Sequence, residues 1–186
     1  FADSSRQFTP EIMWKMGRIG AYHLSADAQN AVYGVTYYSV EQNKSRTLIY
    51  LMNADGSEKT LFTQNASSEM EPQFLADSKH LAFLSTESGQ PEVWMAALDG
   101  SERQQISFTE NGVQGFKFAP DNKKVILVQE VPTTASIDKT YDDLPLTTGM
   151  VITDLNYKHW DHYVRTIPHI FLADFDGKRI ATQSTD

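Results

Sequence analysis

Two short motifs recur in the same order along the 186-residue chain, and this repetition constrains the fold more than any other feature. The first motif is an apolar residue followed shortly by an aspartate. Its three aspartates are Asp27, Asp77 and Asp121, which lie 50 and 44 residues apart. The second motif is an Asp-Gly turn. Its three copies are Asp55-Gly56, Asp99-Gly100 and Asp176-Gly177. Self-similarity at a period of about 40–50 residues is typical of repeat architectures such as propellers.

Segments rich in β-branched and aromatic residues lie at fixed places between the motifs, and these residue types favour strands. The predicted strands are Val32–Tyr38, Leu81–Ser85 and Val125–Gln129 after the first motif, Thr47–Met52, Glu92–Ala97 and His169–Ala173 before the Asp-Gly turns, and Lys59–Phe62, Gln104–Phe108 and Arg179–Ala181 after them. Asp-Gly between two such segments predicts a hairpin, because the turn needs positive φ. One repeat therefore predicts four antiparallel strands, the content of a propeller blade. A β-sandwich also has short strands, but it gives no reason for the same two turns to recur at a fixed interval.

We expect an all-β fold: a partial β-propeller of about three four-stranded antiparallel blades, with a short N-terminal helix and a partly helical insertion. Residues 1–24 form a prelude and 25–186 the partial propeller. The predicted blades span about 25–73, 74–117 and 118–186. Because closed propellers have about 4–8 blades, three blades cannot close a ring. We therefore expect a piece of a longer protein, whose open edge strands favour edge-to-edge self-association.

The prelude and the insertion are the two parts that depart from the repeat. Thr9 can cap a helix and proline suits the first helical position, so a helix is predicted over Pro10–Met16, ended by Gly17. The insertion spans about 131–167 and interrupts the third repeat. Its apolar residues have mixed three- and four-residue spacing, which predicts two helical turns from about Asp154 to Tyr163.

The motifs resemble a known family. Phe118-Ala119-Pro120-Asp121 is similar to the Phe-Ser-Pro-Asp-Gly-Lys pattern of TolB-like propellers and of the propellers of prolyl oligopeptidase-type serine peptidases. Only this third copy keeps the proline, and no copy keeps the glycine. The segment Phe8-Thr9-Pro10-Glu11, with Gly17-Arg18 after it, and the run from Tyr157 to Tyr163 resemble bacterial acylaminoacyl- and dipeptidyl-peptidases of the prolyl oligopeptidase family.

This resemblance implies a non-catalytic propeller that gates access and selects peptide substrates for an α/β-hydrolase domain. The implied partners are that hydrolase domain, the rest of the propeller and peptide substrates, and the implied location is periplasmic or secreted. An alternative is a TolB-like propeller that acts as a protein-interaction module. A third is a self-contained small β domain that stores a ligand.

The chain has no residues from which a hydrolytic centre can be assembled. The Gly-x-Ser-x-Gly nucleophile elbow is absent, and Ser57 and Ser101 follow glycine only inside hairpin turns. There is no cysteine, which excludes a thiolate nucleophile and a cysteine-based zinc site. We expect no catalytic residues and no cofactor. A net charge of −8 argues against nucleic acid or an anionic membrane as a partner.

The candidate site residues lie in the insertion. The substrate-channel candidates are Tyr157, His159, Trp160, Asp161, His162, Asp142 and Asp143. The aromatic residues could line a substrate passage or pack the insertion against the blades. The two neighbouring aspartates could meet a free amino group or lie in a solvated loop.

The insertion and the strand that follows it also hold the chain's main histidine–carboxylate cluster. His159 and His162, at i and i+3, could share a helix face, with Asp161 and His169 nearby in the sequence. A metal site needs ligands that converge on one point, and no third ligand is in register. We therefore expect structural hydrogen bonding there and no metal.

Overall fold

The computed structural model describes residues 7–132, 143, 146, 158–159, 162–163 and 166–181, and they are mostly in β-strands. One α-helix, α1, spans Pro10–Lys15. The strands are β1 (Arg18–Leu24), β2 (Asn30–Ser39), β3 (Lys44–Asn53), β4 (Thr60–Leu61), β5 (Glu69–Phe74), β6 (His80–Ser85), β7 (Glu92–Ala97), β8 (Gln104–Gln105), β9 (Gly115–Phe118), β10 (Lys124–Pro132), β11 (Lys158–His159), β12 (His162–Tyr163) and β13 (Thr166–Asp174).

Three antiparallel sheets follow one another along the chain, as the blades of a propeller do. The first sheet has the strand order β1-β2-β3-β4 and the second β5-β6-β7-β8. The third has the order β9-β10-β13, and within the described residues its fourth position is a single bridge between Phe175 and Ile180. Strands β11 and β12 form a separate pair. The expected all-β partial propeller of about three blades is confirmed.

The first strand of each sheet lies ahead of the first motif, where the sequence analysis named no strand. Strands β1, β5 and β9 end at Leu24, Phe74 and Phe118, which are the apolar residues of the motif. Strands β1 and β5 each have a register irregularity, which interrupts the alternation that reveals a strand in sequence. Each sheet therefore begins before the first residue of its predicted blade. Strand β1, which opens the first sheet, lies within the predicted prelude.

The first motif is a turn in each sheet, closed by the aspartate side chain. The carboxylates of Asp27, Asp77 and Asp121 accept a hydrogen bond from the backbone N–H two residues further on, at 3.0, 2.9 and 3.0 Å. The residue after each aspartate has a left-handed backbone. These residues are Ala28, Ser78 and Asn122, with φ of 56°, 54° and 56°. Glycine adopts this conformation without steric cost, so Ala28 and Ser78 are strained where the resembled pattern has glycine, whereas asparagine tolerates the conformation at Asn122.

The Asp-Gly hairpin turns are also confirmed. Their glycines, Gly56, Gly100 and Gly177, have φ of 88°, 84° and 91°. In the first two turns the aspartate accepts both the N–H of a serine, at 2.9 Å, and its hydroxyl, at 2.6 Å. These bonds, the hydroxyl bond first, lower the pKa of Asp55 and Asp99.

Two apolar cores lie between the three sheets. The core between the first and second sheets contains Val32, Ile49, Phe62, Phe74, Leu81, Phe83 and Ala96. The core between the second and third sheets contains Leu75, Ala82, Leu84, Val93, Met95, Ile106, Val113, Phe116, Phe118, Val125, Leu127, Ala173, Phe175 and Ile180. Among the described residues, the second sheet is therefore covered on both faces, whereas the two core clusters cover the first and third sheets on one face each.

The first strands of neighbouring sheets are joined by side chains. The backbone N–H of Phe74 donates to Nδ1 of His23 at 3.2 Å, and Nε2 of Gln73 donates to the carbonyl of Phe116 at 2.8 Å. Burial, followed by the charge of Lys117, lowers the pKa of His23. The neutral ring, which can accept the bond from Phe74, is therefore favoured.

A buried ion pair lies in the second sheet on the side that faces the first. Glu69 is fully buried at the start of β5, and Nη2 of Arg103 lies 2.6 Å from its Oε1. The same guanidinium lies 2.7 Å from Glu87 and 5.0 Å from the ring centres of Phe83 and Trp94. Within the described residues, neither oxygen of Glu69 has a hydrogen bond of normal geometry. Arg103 therefore supplies the counter-charge.

Helix α1 confirms the predicted N-terminal helix and is one residue shorter. The hydroxyl of Thr9 accepts a bond from the backbone N–H of Ile12 at 3.4 Å, and Pro10 occupies the first turn. The helix buries no residue, but Trp14 packs edge-on against Tyr38 of β2, with ring centres 5.6 Å apart. In the described part of the chain, no helix has the length and apolarity that crossing a membrane requires.

Candidate functional site

The long hairpin of β10 and β13 carries the insertion. The two strands pair from Lys124 with Asp174 to Pro132 with Thr166. Strand pairing therefore extends slightly into the predicted insertion, and Pro132 and Thr166 mark the places where the chain leaves and rejoins the third sheet.

Most of the sequence-predicted site residues cannot be placed in this architecture. Asp142, Tyr157, Trp160 and Asp161 lie outside the described residues. Asp143 is in a turn and is exposed. Their assignment to a substrate passage stays a prediction.

The predicted helix in the insertion is wrong over its described residues. His159 and His162 lie in β11 and β12 and are register partners in an antiparallel pair, so they do not share a helix face. Apolar spacing over so short a segment fits either structure, and aromatic residues favour strands. His169 lies in β13, is exposed, and has Nδ1 3.1 Å from the carbonyl of Ile167. No group of three potential metal ligands occurs among the residues that the structure describes.

A cleft lies between the second and third sheets, at the end of the hairpin that carries the insertion. Its volume is about 350 Å³. The wall from the second sheet is the segment after β8, and the opposite wall is the end of β10 together with β13. The lining residues are Ser107, Phe108, Thr109, Glu110, Asn111, Leu127, Gln129, Glu130, Val131, Pro132, Phe171, Ala173, Ile180 and Ala181. The cleft therefore opens where the insertion leaves its hairpin.

A buried carboxylate fixes the wall that the second sheet contributes. Glu92, at the start of β7, is 1% exposed. It accepts bonds from Nε2 of Gln90 at 3.0 Å, from the N–H and hydroxyl of Thr109 at 2.8 and 2.9 Å, and from the hydroxyl of Ser107. A buried charge is tolerated when it is hydrogen-bonded in this way. Glu92 therefore holds the segment between Ser107 and Thr109 in place against the cleft.

The floor of the cleft is closed by contact between the second and third sheets. The N–H of Ile180 donates to the carbonyl of Ile106 at 2.8 Å, so the end of the third sheet is bonded to the outer edge of the second. The guanidinium of Arg179 lies 4.6 Å from the ring centre of Phe108 at the rim. These contacts join the second and third sheets beside the cleft.

The cleft combines an apolar floor with a polar rim. Leu127, Ala173 and Ile180 are buried at the floor, and Glu130 is half-buried at the rim. The guanidinium of Arg179 lies at the same rim, against the ring of Phe108. This arrangement can receive an apolar side chain with polar groups beside it. Hydrolysis is not expected here, because the hydroxyl of Ser107 donates to Glu92 and no histidine is among the described residues that line the cleft.

Sequence reasoning missed both the cleft and Glu92. The lining residues come from segments more than 70 positions apart, from Ser107 to Ala181, and no motif joins them. Glu92 was placed at the start of a predicted strand, where a charged residue would ordinarily be taken as solvent-exposed. Its burial follows from the position of Thr109, which the sequence does not show.

Comparison with known proteins agrees with this architecture. A family model described as the TolB beta propeller domain matches residues 12–159. A dipeptidyl-peptidase 5 of Porphyromonas gingivalis is 38% identical over 97% of this chain and 26% of its own length. A dipeptidyl-peptidase 5 of Porphyromonas endodontalis is 32% identical over 98% of this chain and 26% of its own length. The chain thus spans about a quarter of the length of these relatives.

A solved structure gives the same fold. The acylaminoacyl peptidase of Pyrococcus horikoshii superposes with a TM-score of 0.66 and 14% sequence identity, over 92% of this chain and 25% of that protein. At this identity the likeness concerns the fold of the three sheets alone.

Proposed function

The chain belongs to the TolB β-propeller domain family, and we propose that it is the propeller portion of a prolyl oligopeptidase-family serine exopeptidase. In this role it gates access to a hydrolase domain and selects peptide substrates, without catalysing hydrolysis itself. The observation that carries the proposal is the 38% identity to a dipeptidyl-peptidase over 97% of the chain, which includes the prelude and the insertion.

The cleft supports a role in selection. Its apolar floor suits a peptide side chain, and the carboxylate of Glu130 at its rim suits a free amino group. A volume of about 350 Å³ is within the range of small-molecule sites, and an apolar site with a few polar groups is typical of them. The cleft also adjoins the insertion, and long insertions in compact domains are commonly functional.

The uncovered sheet faces support a partner. Within the part of the chain that the structure describes, the two core clusters cover the first and third sheets on one face each, and closed propellers need about 4–8 blades. In the proposed parent protein, further blades and an α/β-hydrolase domain adjoin this chain. The proposed location is periplasmic or secreted, which cell fractionation would check.

The test is hydrolysis by the full-length protein that carries this chain. It should cleave dipeptidyl amides with a free amino terminus and should react with a serine-directed fluorophosphonate probe. The 186-residue chain should do neither. Absence of both hydrolysis and labelling in the full-length protein would remove the peptidase assignment.

A matched pair of variants tests the selecting role. Glu130→Gln in the full-length protein should raise KM for substrates with a free amino terminus and leave acetylated substrates unchanged. Glu41→Gln removes a carboxylate from the exposed turn between β2 and β3 and should change neither. An equal effect of Glu130→Gln on both substrate classes would exclude amino-group recognition at this rim.

A TolB-like interaction module is the second candidate, and the family match over residues 12–159 favours it. It predicts a parent protein with a few further blades and no hydrolase segment. The sequence after residue 186 of the parent protein therefore separates the two functions.

A further inference from the structure

The guanidinium of Arg179 is the feature of the cleft rim that the proposed function does not use. It lies over the ring of Phe108, with 4.6 Å between the guanidinium carbon and the ring centre. Phe108 lines the cleft, so Arg179 places a positive charge at the entrance. Among the described residues, this guanidinium has neither an ion pair nor a hydrogen-bond partner. An unpaired cation at such a rim favours an anionic ligand.

The backbone on both sides of this side chain is held by hydrogen bonds. The N–H of Arg179 donates to the carboxylate of Asp176 at 2.7 Å, and the N–H of Ile180 donates to the carbonyl of Ile106 at 2.8 Å. Asp176 also accepts the N–H of Lys178 at 2.8 Å. These backbone bonds, the one from Arg179 first, lower the pKa of Asp176. The nearby carboxylate is therefore engaged by its own turn and forms no ion pair with the guanidinium.

The position of the guanidinium over a ring suits a carboxylate in particular. The ring covers a face of the planar group, whereas the N–H donors lie in its plane and form a fork. That fork matches the two oxygens of a carboxylate, which it can bind through two parallel hydrogen bonds. Glu110, which also lines the cleft, already has an interaction partner. The free fork of Arg179 therefore points to a ligand that brings its own carboxylate.

The interior behind this rim suits an apolar side chain and a peptide group. The buried floor is apolar, as described above. Gln129 lines the cleft and is half-buried, and its side-chain amide has no hydrogen bond among the described residues. Such an amide can both donate to and accept from a peptide group. The volume of about 350 Å³ is at the low end of the range for small-molecule sites, and an extended dipeptide is about 7 Å long.

We propose that the cleft binds a free dipeptide, whose carboxylate pairs with Arg179 and whose apolar carboxyl-terminal side chain lies on the floor. The biological source of this ligand rests on the proposed function, since a dipeptidyl-peptidase releases dipeptides. Its hydrolysis consumes one water and turns the peptide bond after the second residue into a carboxylate and a new amino terminus. An intact substrate has no charge at that position. Arg179 therefore favours the product over the substrate, and the protein retains the dipeptide that it releases.

Titration calorimetry of the full-length protein that carries this chain tests the site. The protein is first treated with a fluorophosphonate probe, so that no peptide is hydrolysed during the titration. Ala-Leu should bind about 10-fold more tightly than Ala-Leu amide, because hydrogen bonds between charged groups are stronger than neutral ones. Ala-Gly should bind about 10-fold more weakly than Ala-Leu, because it has no side chain for the floor. Added salt should reduce the first difference and leave the second.

A matched pair of variants assigns the preference for a carboxylate to Arg179. Arg179→Gln should lower the affinity for Ala-Leu to that for its amide. Lys178→Gln removes the neighbouring exposed positive charge of the same turn and should leave the preference unchanged. No binding of Ala-Leu, or equal affinities for Ala-Leu and its amide, would overturn the proposal. A preference that survives in Arg179→Gln would overturn it as well.

Failure of this site can be told apart from failure of the proposed function. A full-length protein that neither reacts with the probe nor cleaves dipeptidyl amides, but prefers Ala-Leu through Arg179, keeps the dipeptide site and loses the peptidase assignment. A protein that cleaves dipeptidyl amides but binds Ala-Leu no better than its amide keeps the peptidase assignment and loses the site.

Discussion

Removal of the guanidinium of Arg103 is the sharpest test of how a buried ion pair stabilises the second sheet. The side chain crosses the second sheet and places its charge 2.6 Å from Glu69, which is fully buried and has no hydrogen bond of normal geometry among the described residues. Arg103→Met keeps much of the apolar volume but leaves that carboxylate without a counter-charge.

The size of the effect follows from burial. Breaking a buried ion pair by removing one partner costs about 3–5 kcal/mol. Loss of the contacts with the rings of Phe83 and Trp94, both at 5.0 Å, adds to it. For a chain of this size, each kcal/mol shifts Tm by about 2–4 °C, so we expect Tm to fall by about 6–20 °C. Thermal and urea unfolding followed by circular dichroism would measure it.

Arg18→Met is the matched control. Its guanidinium also lies against two rings, 5.2 Å from Trp14 and 4.4 Å from Tyr38, but no buried carboxylate pairs with it among the described residues. We expect a loss of about 1 kcal/mol or less. The double variant Glu69→Met with Arg103→Met should recover most of the loss, because apolar replacement of a buried pair is often neutral. Equal losses of stability in Arg103→Met and Arg18→Met would refute the reasoning. So would a double variant that is no more stable than Arg103→Met.

Three further changes test separate features of the fold. Ala28→Gly should raise the free energy of unfolding by about 0.5–1 kcal/mol, because it relieves the strain of a left-handed backbone. Asn122→Gly should be nearly neutral, because asparagine tolerates that conformation. Equal gains in the free energy of unfolding of the two variants in urea titrations would contradict this. The pKa of His23 is lowered in the folded chain, so its contribution to stability is present above its unfolded value of about 6.5 and is lost as pH falls through the folded value. Unfolding at pH 7.5 and 5.5 should show a smaller drop in His23→Gln, which has no ring to titrate. Glu92→Gln should destabilise the chain by about 1–3 kcal/mol, since an amide cannot accept all four hydrogen bonds. Backbone hydrogen exchange should then be faster in the segment after β8. Unchanged exchange would argue against a role of Glu92 in holding that segment.

The turns were predictable because their causes are local. Gly56 and Gly100 adopt the positive φ that the hairpin needs. The aspartate before each glycine closes the turn, because its carboxylate accepts a hydrogen bond from the backbone N–H two residues further on. Both features lie within four residues of sequence. Their spacing then gave the strands between them and the blade count.

Other elements were missed because their causes are distant in sequence. Strands β1, β5 and β9 are strands because they pair with the strand after the motif, and two of them lack regular alternation. The helix expected in the insertion gave way to pairing between His159 and His162, because a short mixed spacing does not separate the two structures. The candidate residues of the insertion were chosen by composition, and the cleft beside it depends on Glu92 and Thr109, which no sequence pattern connects.

The amino-acid sequence by itself determined the repeat, the turns, the hairpins between them and the family resemblance, because each is encoded in a few consecutive residues or in their period. Only the tertiary structure decided which sheet faces are covered, that Glu69 and Glu92 are buried charges, and that a cleft opens beside the insertion. These properties depend on which side chains meet across neighbouring sheets. Ile49 and Ile170 occupy the same position of the repeat, yet Ile49 is buried and Ile170 is exposed, since among the described residues the second sheet packs against Ile49 and no sheet packs against Ile170.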